Sequence, residues 1–285
     1  MAADSTPSLS STEHTVECGK AGRSSAVARA WGALWDTLLP AHCQACGRFL
    51  RNEPNPCFCG DCWRGIPRLD GPCCPSCGKP FVSAAALSHS PNHRCGDCRK
   101  RAPKFNRAIS VGRYEGVLAE AIRLFKYRGR TRLAGPIGAF MSGAAERLCD
   151  AEAMIPVPLH PSRLRTREYN QALLLCDRLR DAVGIPVIAN GLARIRETPP
   201  QIGLTLPERR RNMRGAFAAK RPDKIRGRRI LLIDDVLTTG ATVNECARIL
   251  KRAGAKGVYV LTAARTVPGG EGSAIGDAAA GVSTS

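Results

Sequence analysis

The residues of this chain whose types and spacing point most directly to chemistry are two adjacent acids, Asp234 and Asp235, followed by a Thr- and Gly-rich run. Four apolar residues, Ile230–Ile233, precede the acids and predict a strand buried on both faces, because they do not alternate with polar residues. An amphipathic run that starts at Val243 predicts a helix capped by Gly254. A small polar loop between a strand and a helix amino terminus binds phosphate, because backbone N–H groups and the helix dipole attract an anion.

Two carboxylates beside such a loop need a neutral or cationic partner, since they repel phosphate oxygens. Sugar hydroxyls next to the phosphate meet that need, so the pattern indicates a ribose 5-phosphate. The alternative is an ordinary strand–helix unit whose acids merely end a strand. A pocket of this kind does not by itself establish catalysis.

The run Ile230–Thr242 resembles, at every position, the phosphoribosyl-diphosphate (PRPP) loop of the type I phosphoribosyltransferases. The resemblance implies that Asp234 and Asp235 bind the ribose 2′- and 3′-hydroxyls, which makes them the candidate catalytic residues. It also implies a cradle for the 5-phosphate, formed by Thr238, Thr239, Gly240, Ala241 and Thr242.

Most of the 14 cysteines lie between Cys43 and Cys98, which in a protein without an export signal indicates metal binding rather than disulfides. They form Cys-x-x-Cys pairs, and two such pairs supply the four thiolates of one tetrahedral zinc ion. The simplest pairing is sequential and predicts two structural Zn²⁺ ions, which supply folding energy that so small a segment lacks. The predicted ligands are Cys43, Cys46, Cys59 and Cys62 at one site and Cys74, Cys77, Cys95 and Cys98 at the other.

Other interpretations of the cysteine segment stay open from the sequence. Cys57 and Cys73 adjoin the pairs, and His42, His89 or His93 is able to replace a thiolate. A redox-active Cys-x-x-Cys pair and an iron–sulfur cluster are alternative interpretations of the same spacing.

The length allows one substantial domain and a small one, and the net charge is +19. Basic residues are in excess between Leu159 and Arg229, which fits an anionic small ligand, a nucleic acid or a solvated Arg-rich face. No apolar run approaches the length of a membrane helix, and the amino terminus lacks the basic and apolar regions of an export signal. We therefore expect a cytoplasmic protein without membrane insertion.

Periodicity and composition predict the order of the domains. Residues 1–25 are predicted to be disordered, 26–102 to form an amphipathic helix and a Cys-rich zinc-ribbon module, and 267–285 to form a disordered tail. Strand and helix patterns alternate through 103–266, which predicts an α/β fold with a mainly parallel sheet and helices on both faces. The resemblance above assigns this fold to the type I phosphoribosyltransferase kind.

Cysteine pairs followed by a phosphoribosyltransferase-like domain resemble the ComF family, which includes the GntX-type bacterial proteins. Three further stretches carry the likeness: a lysine-tyrosine-x-glycine segment, a PVPLH … RGFNQA signature and a TxxQ … RxxN … AF stretch. In this chain they are Phe125–Gly129, Pro156–His160 with Arg167–Ala172, and Thr198–Gln201 with Arg209–Asn212 and Ala216–Phe217.

Basic and amide residues of these stretches are, by the resemblance, candidate ligands of the diphosphate and the base. Pro156 and Pro158 stiffen the strand end from which the basic loop emerges. Thr198–Arg214 has the place of the mobile loop that closes over the substrates in this fold family. The further substrate-binding candidates are Lys126, Arg163, Arg167, Asn170, Gln171, Arg209 and Asn212.

The resemblance implies transfer of phosphoribose from PRPP to a nitrogenous base, with Mg²⁺ shared between the diphosphate and the ribose hydroxyls. The alternative is a non-catalytic protein that binds a nucleotide or single-stranded DNA and assists DNA uptake or processing together with partner proteins. Two departures from the family pattern bear on this choice. Glu168 stands where the signature has Gly, and Thr238 stands where hypoxanthine-type enzymes carry the aspartate that accepts the purine's proton.

Overall fold

The computed structural model describes residues 41–267 except 52, 89, 149 and 200–204. The amphipathic helix predicted at the start of the 26–102 segment lies outside the described residues. So do the two segments predicted to be disordered, except that Val267 of the tail is described. Among the helices that the structure describes, none combines the length and the apolar character that a membrane crossing demands.

The regular elements follow the strand–helix alternation that the sequence predicts. The strands are β1 Arg107–Arg113, β2 Ala153–Pro156, β3 Leu192–Arg194, β4 Phe217–Ala219, β5 Arg229–Leu237 and β6 Gly257–Arg265. The helices are α1 Gly60–Arg64, α2 Ala85–Ser88, α3 Gly96–Lys100, α4 Gly116–Tyr127, α5 Ala134–Glu146, α6 Pro161–Arg167, α7 Gln171–Val183, α8 Leu206–Met213, α9 Pro222–Ile225 and α10 Ala241–Arg252, with a 3₁₀ turn at Thr131–Leu133.

Four of the strands form one parallel sheet in the order β1-β6-β5-β2, and β3 pairs with β4 in a separate antiparallel ribbon. The motif strand β5 lies inside the sheet, where Ile233 is in register with Leu261 of β6 and with Pro156 of β2. Helices cover both faces of the sheet. The predicted α/β class with a mainly parallel sheet is therefore confirmed.

Strand β5 is buried on both faces because its apolar residues divide between two cores. Leu231 and Ile233 pack with α4, α5 and α7, whereas Ile230 and Leu232 pack with α10 and the β3–β4 ribbon. All four side chains are fully buried. Each such burial stabilises the fold by about 1.5–3 kcal/mol, so the strand that carries the two acids is firmly anchored.

The first half of the Cys-rich module belongs to the core of the α/β domain. Phe58 and Ile66 are buried in the same cluster as α5. The ring of Trp63 lies edge-on to Phe140 of α5, with the ring centres 6.3 Å apart. This packing makes the first ribbon an integral part of the domain that follows it.

The second half of the module has a small cluster of its own and is attached to the sheet by backbone contacts. The Ala108 N–H donates to the Ser76 carbonyl at 2.9 Å. Gly78 has a φ of +69°, and a Cβ at this position would lie 2.7 Å from the Ala108 carbonyl oxygen. Only glycine meets both conditions, so Gly78 allows the second ribbon to lie directly against β1.

The segment Thr198–Arg214, predicted as a mobile loop, contains the helix α8. Thr205 and Glu208 form a capping box at its start, and Pro207 occupies the first turn. The Thr205 N–H donates to a Glu208 carboxylate oxygen at 2.7 Å. Thr-x-Pro-Glu is a helix-start signal, and buried Met213 then holds the helix on the domain.

Candidate functional site

The two acids lie near the carboxyl end of β5 and are held by a lysine from α4. Lys126 Nζ lies 2.8 Å from Asp235 Oδ1, and Asp235 is only 7% exposed. The Asp235 N–H donates to Asp234 Oδ1 at 2.9 Å. Lys126 and the acids are far apart in sequence, and the packing of α4 beside β5 brings them together.

Burial and mutual repulsion set the charges of this group. Burial and the charge of Asp235 raise the pKa of Asp234, Lys126 and Arg194 oppose them, and the net result is a pKa of about 7. Burial by itself lowers the pKa of Lys126, but attraction to Asp235 and Asp234 outweighs it, so that pKa is raised. Near neutral pH the group therefore contains a Lys126–Asp235 ion pair, and Asp234 beside it is present in both its protonated and its ionised form.

The predicted phosphate cradle connects β5 to α10. Gly240 is the N-cap of α10 with a φ of 75°, a conformation that glycine adopts without strain. Thr238 and Thr239 are exposed, and Thr239 Oγ1 accepts a hydrogen bond from the Ala241 N–H at 3.4 Å. Ala241 and Thr242 form the first turn of α10, where backbone N–H groups and the helix dipole favour an anion.

Arg167 and Gln171 lie together at the junction of α6 and α7. The Arg167 guanidinium stacks over the exposed ring of Tyr127, 4.6 Å from its centre, and donates a long hydrogen bond of 3.5 Å to Gln171 Oε1. Gln171 is 2% exposed, and its Nε2 has no hydrogen-bond partner among the described residues. An unpaired buried donor costs about 1–3 kcal/mol, so a ligand acceptor at this junction would stabilise it.

Asn170 uses both ends of its side-chain amide within the fold. Its Oδ1 caps α7 by accepting from the Ala172 N–H at 3.0 Å. Its Nδ2 donates to the Val157 carbonyl at 3.1 Å. The residue predicted to reach the ribose or base therefore joins the end of β2 to the start of α7.

Arg194 is absent from the ligands predicted from the sequence, although it lies near Asp234. It extends from β3, donates to Thr198 Oγ1 and lies over the ring of Phe217 at 5.7 Å. Burial lowers its pKa, nearby Arg163 lowers it further, and Asp234 opposes both. No sequence signal identifies this residue, because the β3–β4 ribbon is placed by tertiary packing.

Helix α8, which we call the hood, contains the remaining predicted ligands, Arg209 and Asn212. Asn212 donates through Nδ2 to the Pro199 carbonyl at 3.1 Å, and its own carbonyl accepts from Arg196 at 2.7 Å. The side-chain amide and the backbone carbonyl of Asn212 thus join the hood to the residues Pro199 and Arg196 before it. Arg209 lies one turn earlier on the same helix.

Glu168, the departure from the family signature, ends α6 in a left-handed conformation. Its φ is 65°, and it is the only non-glycine residue with positive φ in the described part of the chain. Its N–H donates to the Leu164 carbonyl at 2.7 Å. This conformation costs a residue with a Cβ about 1–2 kcal/mol, which explains why a glycine suits the position.

The cysteine pairs form two compact groups of four sulfurs, each lying within 4.8 Å of one another. The sulfurs of Cys46 and Cys59 are 3.7 Å apart, as are those of Cys77 and Cys95. A zinc ion with four sulfurs at about 2.3 Å requires separations of about 3.8 Å, so both groups fit zinc. The groups are Cys43, Cys46, Cys59 and Cys62, and Cys74, Cys77, Cys95 and Cys98.

Backbone donors favour thiolates at these groups. Burial opposes ionisation of Cys43, but N–H groups of Cys59, Cys46 and Ala45 outweigh it and lower its pKa to about 6. Hydrogen bonds that the Cys62 thiol donates to the Cys46 and Cys59 sulfurs raise its pKa to about 12. Without a metal, ionisation of one sulfur thus opposes ionisation of its neighbours. A bound cation removes this competition by stabilising all four thiolates together.

The additional metal-ligand candidates lie outside these groups. Within the described residues, neither ligand group includes any of Cys57, Cys73, His42 and His93, and His89 lies outside that part of the chain. Burial raises the pKa of Cys57, which favours a neutral thiol.

Comparison with known proteins adds two domain matches and close relatives. Residues 34–101 match the double zinc ribbon domain, and residues 189–270 match the phosphoribosyl transferase domain. The chain is 31% identical over 231 residues to competence protein F of Haemophilus influenzae, covering 79% of this chain and 95% of that protein. It is 32% identical over 216 residues to the DNA utilization protein YhgH of Escherichia coli, covering 74% and 91%.

Solved structures give a more distant likeness. The allosteric regulatory enzyme of purine biosynthesis is 20% identical, with a TM-score of 0.31, over 46% of this chain and 26% of that one. The matched ribbon domain and the sulfur geometry together assign the two four-cysteine groups as zinc-binding sites.

Proposed function

Because the chain belongs to the ComF family, in which a double zinc ribbon precedes a phosphoribosyltransferase domain, we propose that it binds PRPP or a nucleotide 5′-phosphate at the carboxyl end of β5. The observation that carries the proposal is the Lys126–Asp235 ion pair beside Asp234 and the phosphate loop. An ordinary strand end would not need a partly buried lysine to hold two adjacent acids near a helix amino terminus.

In the proposed complex, the two carboxylates accept hydrogen bonds from the ribose 2′- and 3′-hydroxyls. The 5-phosphate lies against the N–H groups of Thr238–Thr242, which attract an anion. Charge-assisted hydrogen bonds of this kind contribute about 1.5–3 kcal/mol each. Lys126 pairs with Asp235 and orients it for its hydroxyl.

The diphosphate lies toward α6, where Arg163 and Arg167 supply planar donors that match phosphate oxygens. The stack of Arg167 on Tyr127 holds its guanidinium in place before the ligand arrives. Arg194, which approaches from β3, adds a third cation close to Asp234. Arg209 and Asn212 on α8 close the site from the hood side.

Mg²⁺ fits this proposal because the site offers hard oxygen ligands and crowded negative charge. Repulsion between Asp234 and Asp235 is one of the causes that raise the pKa of Asp234, and a cation would relieve it. The ion would be held by the two acids and by oxygens of the ligand, and it would neutralise charge on the diphosphate.

We propose transfer of phosphoribose to a nitrogenous base as the reaction. The bond from ribose C1 to the diphosphate oxygen breaks, and its electron pair leaves with the diphosphate. A nitrogen lone pair of the base forms the new bond to C1, and the nitrogen's proton passes to water, since Thr238 offers no basic group.

A second candidate function, binding of single-stranded DNA without catalysis, is favoured by the charge of the chain. The net charge of +19 exceeds what one diphosphate requires. The relatives named for competence and for DNA utilization agree with this alternative.

Calorimetry with PRPP and Mg²⁺, and with single-stranded DNA on the same preparation, tests both functions. We expect the double variant D234N/D235N to bind PRPP at least about tenfold more weakly, because charged acceptors for the hydroxyls are lost. D223N is the matched control, since Asp223 forms an exposed pair with Arg221 at 3.4 Å.

Release of diphosphate in the presence of purine and pyrimidine bases separates the two functions. Release that the double variant abolishes supports the transferase. PRPP binding without release supports a non-catalytic protein, and unchanged PRPP affinity in the double variant would contradict the pocket altogether.

A further inference from the structure

A cavity of about 430 Å³ lies at the carboxyl ends of β1, β6 and β5. The phosphate loop and the start of α10 form one side of it, and the second zinc ribbon forms the opposite side. We call this cavity the junction chamber. Its volume lies within the range of about 300–1,000 Å³ that small-molecule sites occupy.

The junction chamber adjoins the acid-pair site but is lined by other residues, apart from the loop between them. Neither Asp234 nor Asp235 lines it, and neither does Lys126 or Arg194. The two sites share the loop Thr238–Ala241, which lies between them. Apart from this shared loop, the residues that line the chamber have no role in the PRPP proposal.

The lining of the chamber is strongly basic. Lys79 is paired with Asp97 at 3.2 Å. The other basic side chains of the lining have no carboxylate partner in a salt bridge within the described part of the chain. They are Arg101, Lys104, Arg113, Arg210 and Arg265, and Glu115 is the remaining acid.

Two of these arginines face each other in the sheet. Arg113 ends β1 and Arg265 ends β6, and the parallel register pairs them directly. Like charges opposite each other destabilise a sheet unless an anion lies between or beside them. Arg265 Nη2 lies 4.0 Å from Cys77 Sγ, whereas Arg113 has no carboxylate partner in a salt bridge among the described residues.

Arg265 is held rigidly at the chamber wall. It is 8% exposed, and its Nη1 donates to the Cys77 carbonyl at 2.7 Å. Its Nε has no hydrogen-bond partner among the described residues. Its contacts therefore lie on the Cys77 side, and a bound anion in the chamber would add a partner on the other side of this buried cation.

The same chamber offers an aromatic and apolar surface. Tyr114 lines it next to Arg113, and buried Phe105 lines it from the segment that leaves the ribbon. Aromatic side chains beside cations are the combination that binds a nucleobase by stacking and its phosphate by charge.

We propose that the junction chamber binds a nucleoside monophosphate unit, either as a free nucleotide or as one residue of a single strand. Its phosphate lies near Arg113 and Arg265, and its base lies against Tyr114. The second ribbon then has a direct role, because it forms one wall of a nucleotide site. The proposal does not require PRPP to bind at the acid pair.

Thymidine monophosphate and a short fluorescent oligothymidylate are the probes. The test variant is K104Q/R113Q, which removes two chamber cations, and the matched control is R226Q/R228Q, which removes two exposed cations outside the chamber. Far-UV circular dichroism and zinc content establish that each variant is folded. Affinity is measured by calorimetry for the mononucleotide and by anisotropy over a salt series for the oligomer.

We expect K104Q/R113Q to weaken binding about tenfold and to reduce the slope of log affinity against log salt by about two. The control R226Q/R228Q keeps the affinity for the mononucleotide. Saturable binding of the mononucleotide identifies a free-nucleotide site, whereas binding of the oligomer alone identifies a strand site.

Photocrosslinking gives a second readout that does not depend on the variants. With 5-iodouridine monophosphate, we expect the label in the peptide that contains Tyr114. Absence of binding by both thymidine probes would overturn the proposal. So would a label confined to the acid-pair site, or an equal loss of affinity in the control variant.

Discussion

The protonation of Asp234 depends on opposing effects of neighbouring residues. Burial and the charge of Asp235 raise its pKa from 3.8 to about 7, whereas Lys126 and Arg194 lower it. Between about pH 4 and pH 7 the folded protein therefore holds this proton more tightly than the unfolded chain does. The resulting stabilisation is complete below the unfolded pKa and is lost as pH rises through the folded pKa.

We therefore predict that D234N removes a pH-dependent cost of folding. The difference in free energy of unfolding between D234N and the ligand-free wild-type protein should grow, in favour of the variant, by on the order of 2 kcal/mol as the pH rises from about 5 to about 8. Urea unfolding at the two pH values measures this difference. D223N should gain nothing, and a difference between D234N and wild type that does not change with pH would contradict the raised pKa.

A second prediction at the residue scale concerns Glu168. With a φ of 65°, this residue bears the strain of a left-handed conformation. E168G should raise the free energy of unfolding by about 1 kcal/mol, because glycine adopts this conformation freely. The control E168A removes the charge but keeps the Cβ, so it should leave stability nearly unchanged. A gain in E168A equal to that in E168G would show that the charge, not the backbone, is responsible.

At the scale of elements, the zinc ribbons and the β5–loop–α10 unit are built on local spacing. The first ribbon contains a natural pair for comparison, because Cys59 is one of its four grouped sulfurs and Cys57, two residues earlier, is not. Both side chains are buried. The two positions therefore separate metal binding from packing.

We predict that C59S retains one zinc ion per chain and that C57S retains two. A serine hydroxyl does not replace a thiolate in a structural zinc site, whereas a neutral buried thiol at position 57 serves only packing. Elemental analysis by mass spectrometry measures the zinc content. Two ions in C59S, or one in C57S, would overturn the ligand set.

At the scale of the whole molecule, the first ribbon and the α/β domain share a hydrophobic core. Phe58 and Ile66 lie in the same cluster as Met141 and Leu175, and Trp63 packs edge-on against Phe140. Burial shared in this way makes unfolding cooperative, since neither part retains its core alone.

We predict that the ribbon and the domain unfold together. In the background W31F/W35F, Trp63 is the single tryptophan of the chain, and its fluorescence reports the ribbon while far-UV circular dichroism reports mainly the α/β domain. The two signals should give the same urea midpoint. A fluorescence midpoint at lower urea would mean that the ribbon unfolds separately.

Some of the fold and site is encoded in local spacing and was predictable from sequence. Ile230–Ile233 specify a strand buried on both faces because all four residues are apolar, and the run that ends at Gly254 specifies the helix after it. Cys-x-x-Cys turns specify their own geometry, so the two sulfur groups follow from sequential pairing. The hood is an instructive exception, since Thr205 and Glu208 carry a helix-start signal within a segment predicted as a loop.

What tertiary structure alone decided is which distant side chains meet and how they are charged. Lys126 reaches Asp235 only because α4 packs beside β5, and Arg194 approaches Asp234 only from a ribbon outside the main sheet. The strand order brings Arg113 beside Arg265. Sequence spacing constrains contacts within one turn or one loop, whereas burial and the sum of nearby charges depend on the whole packed arrangement.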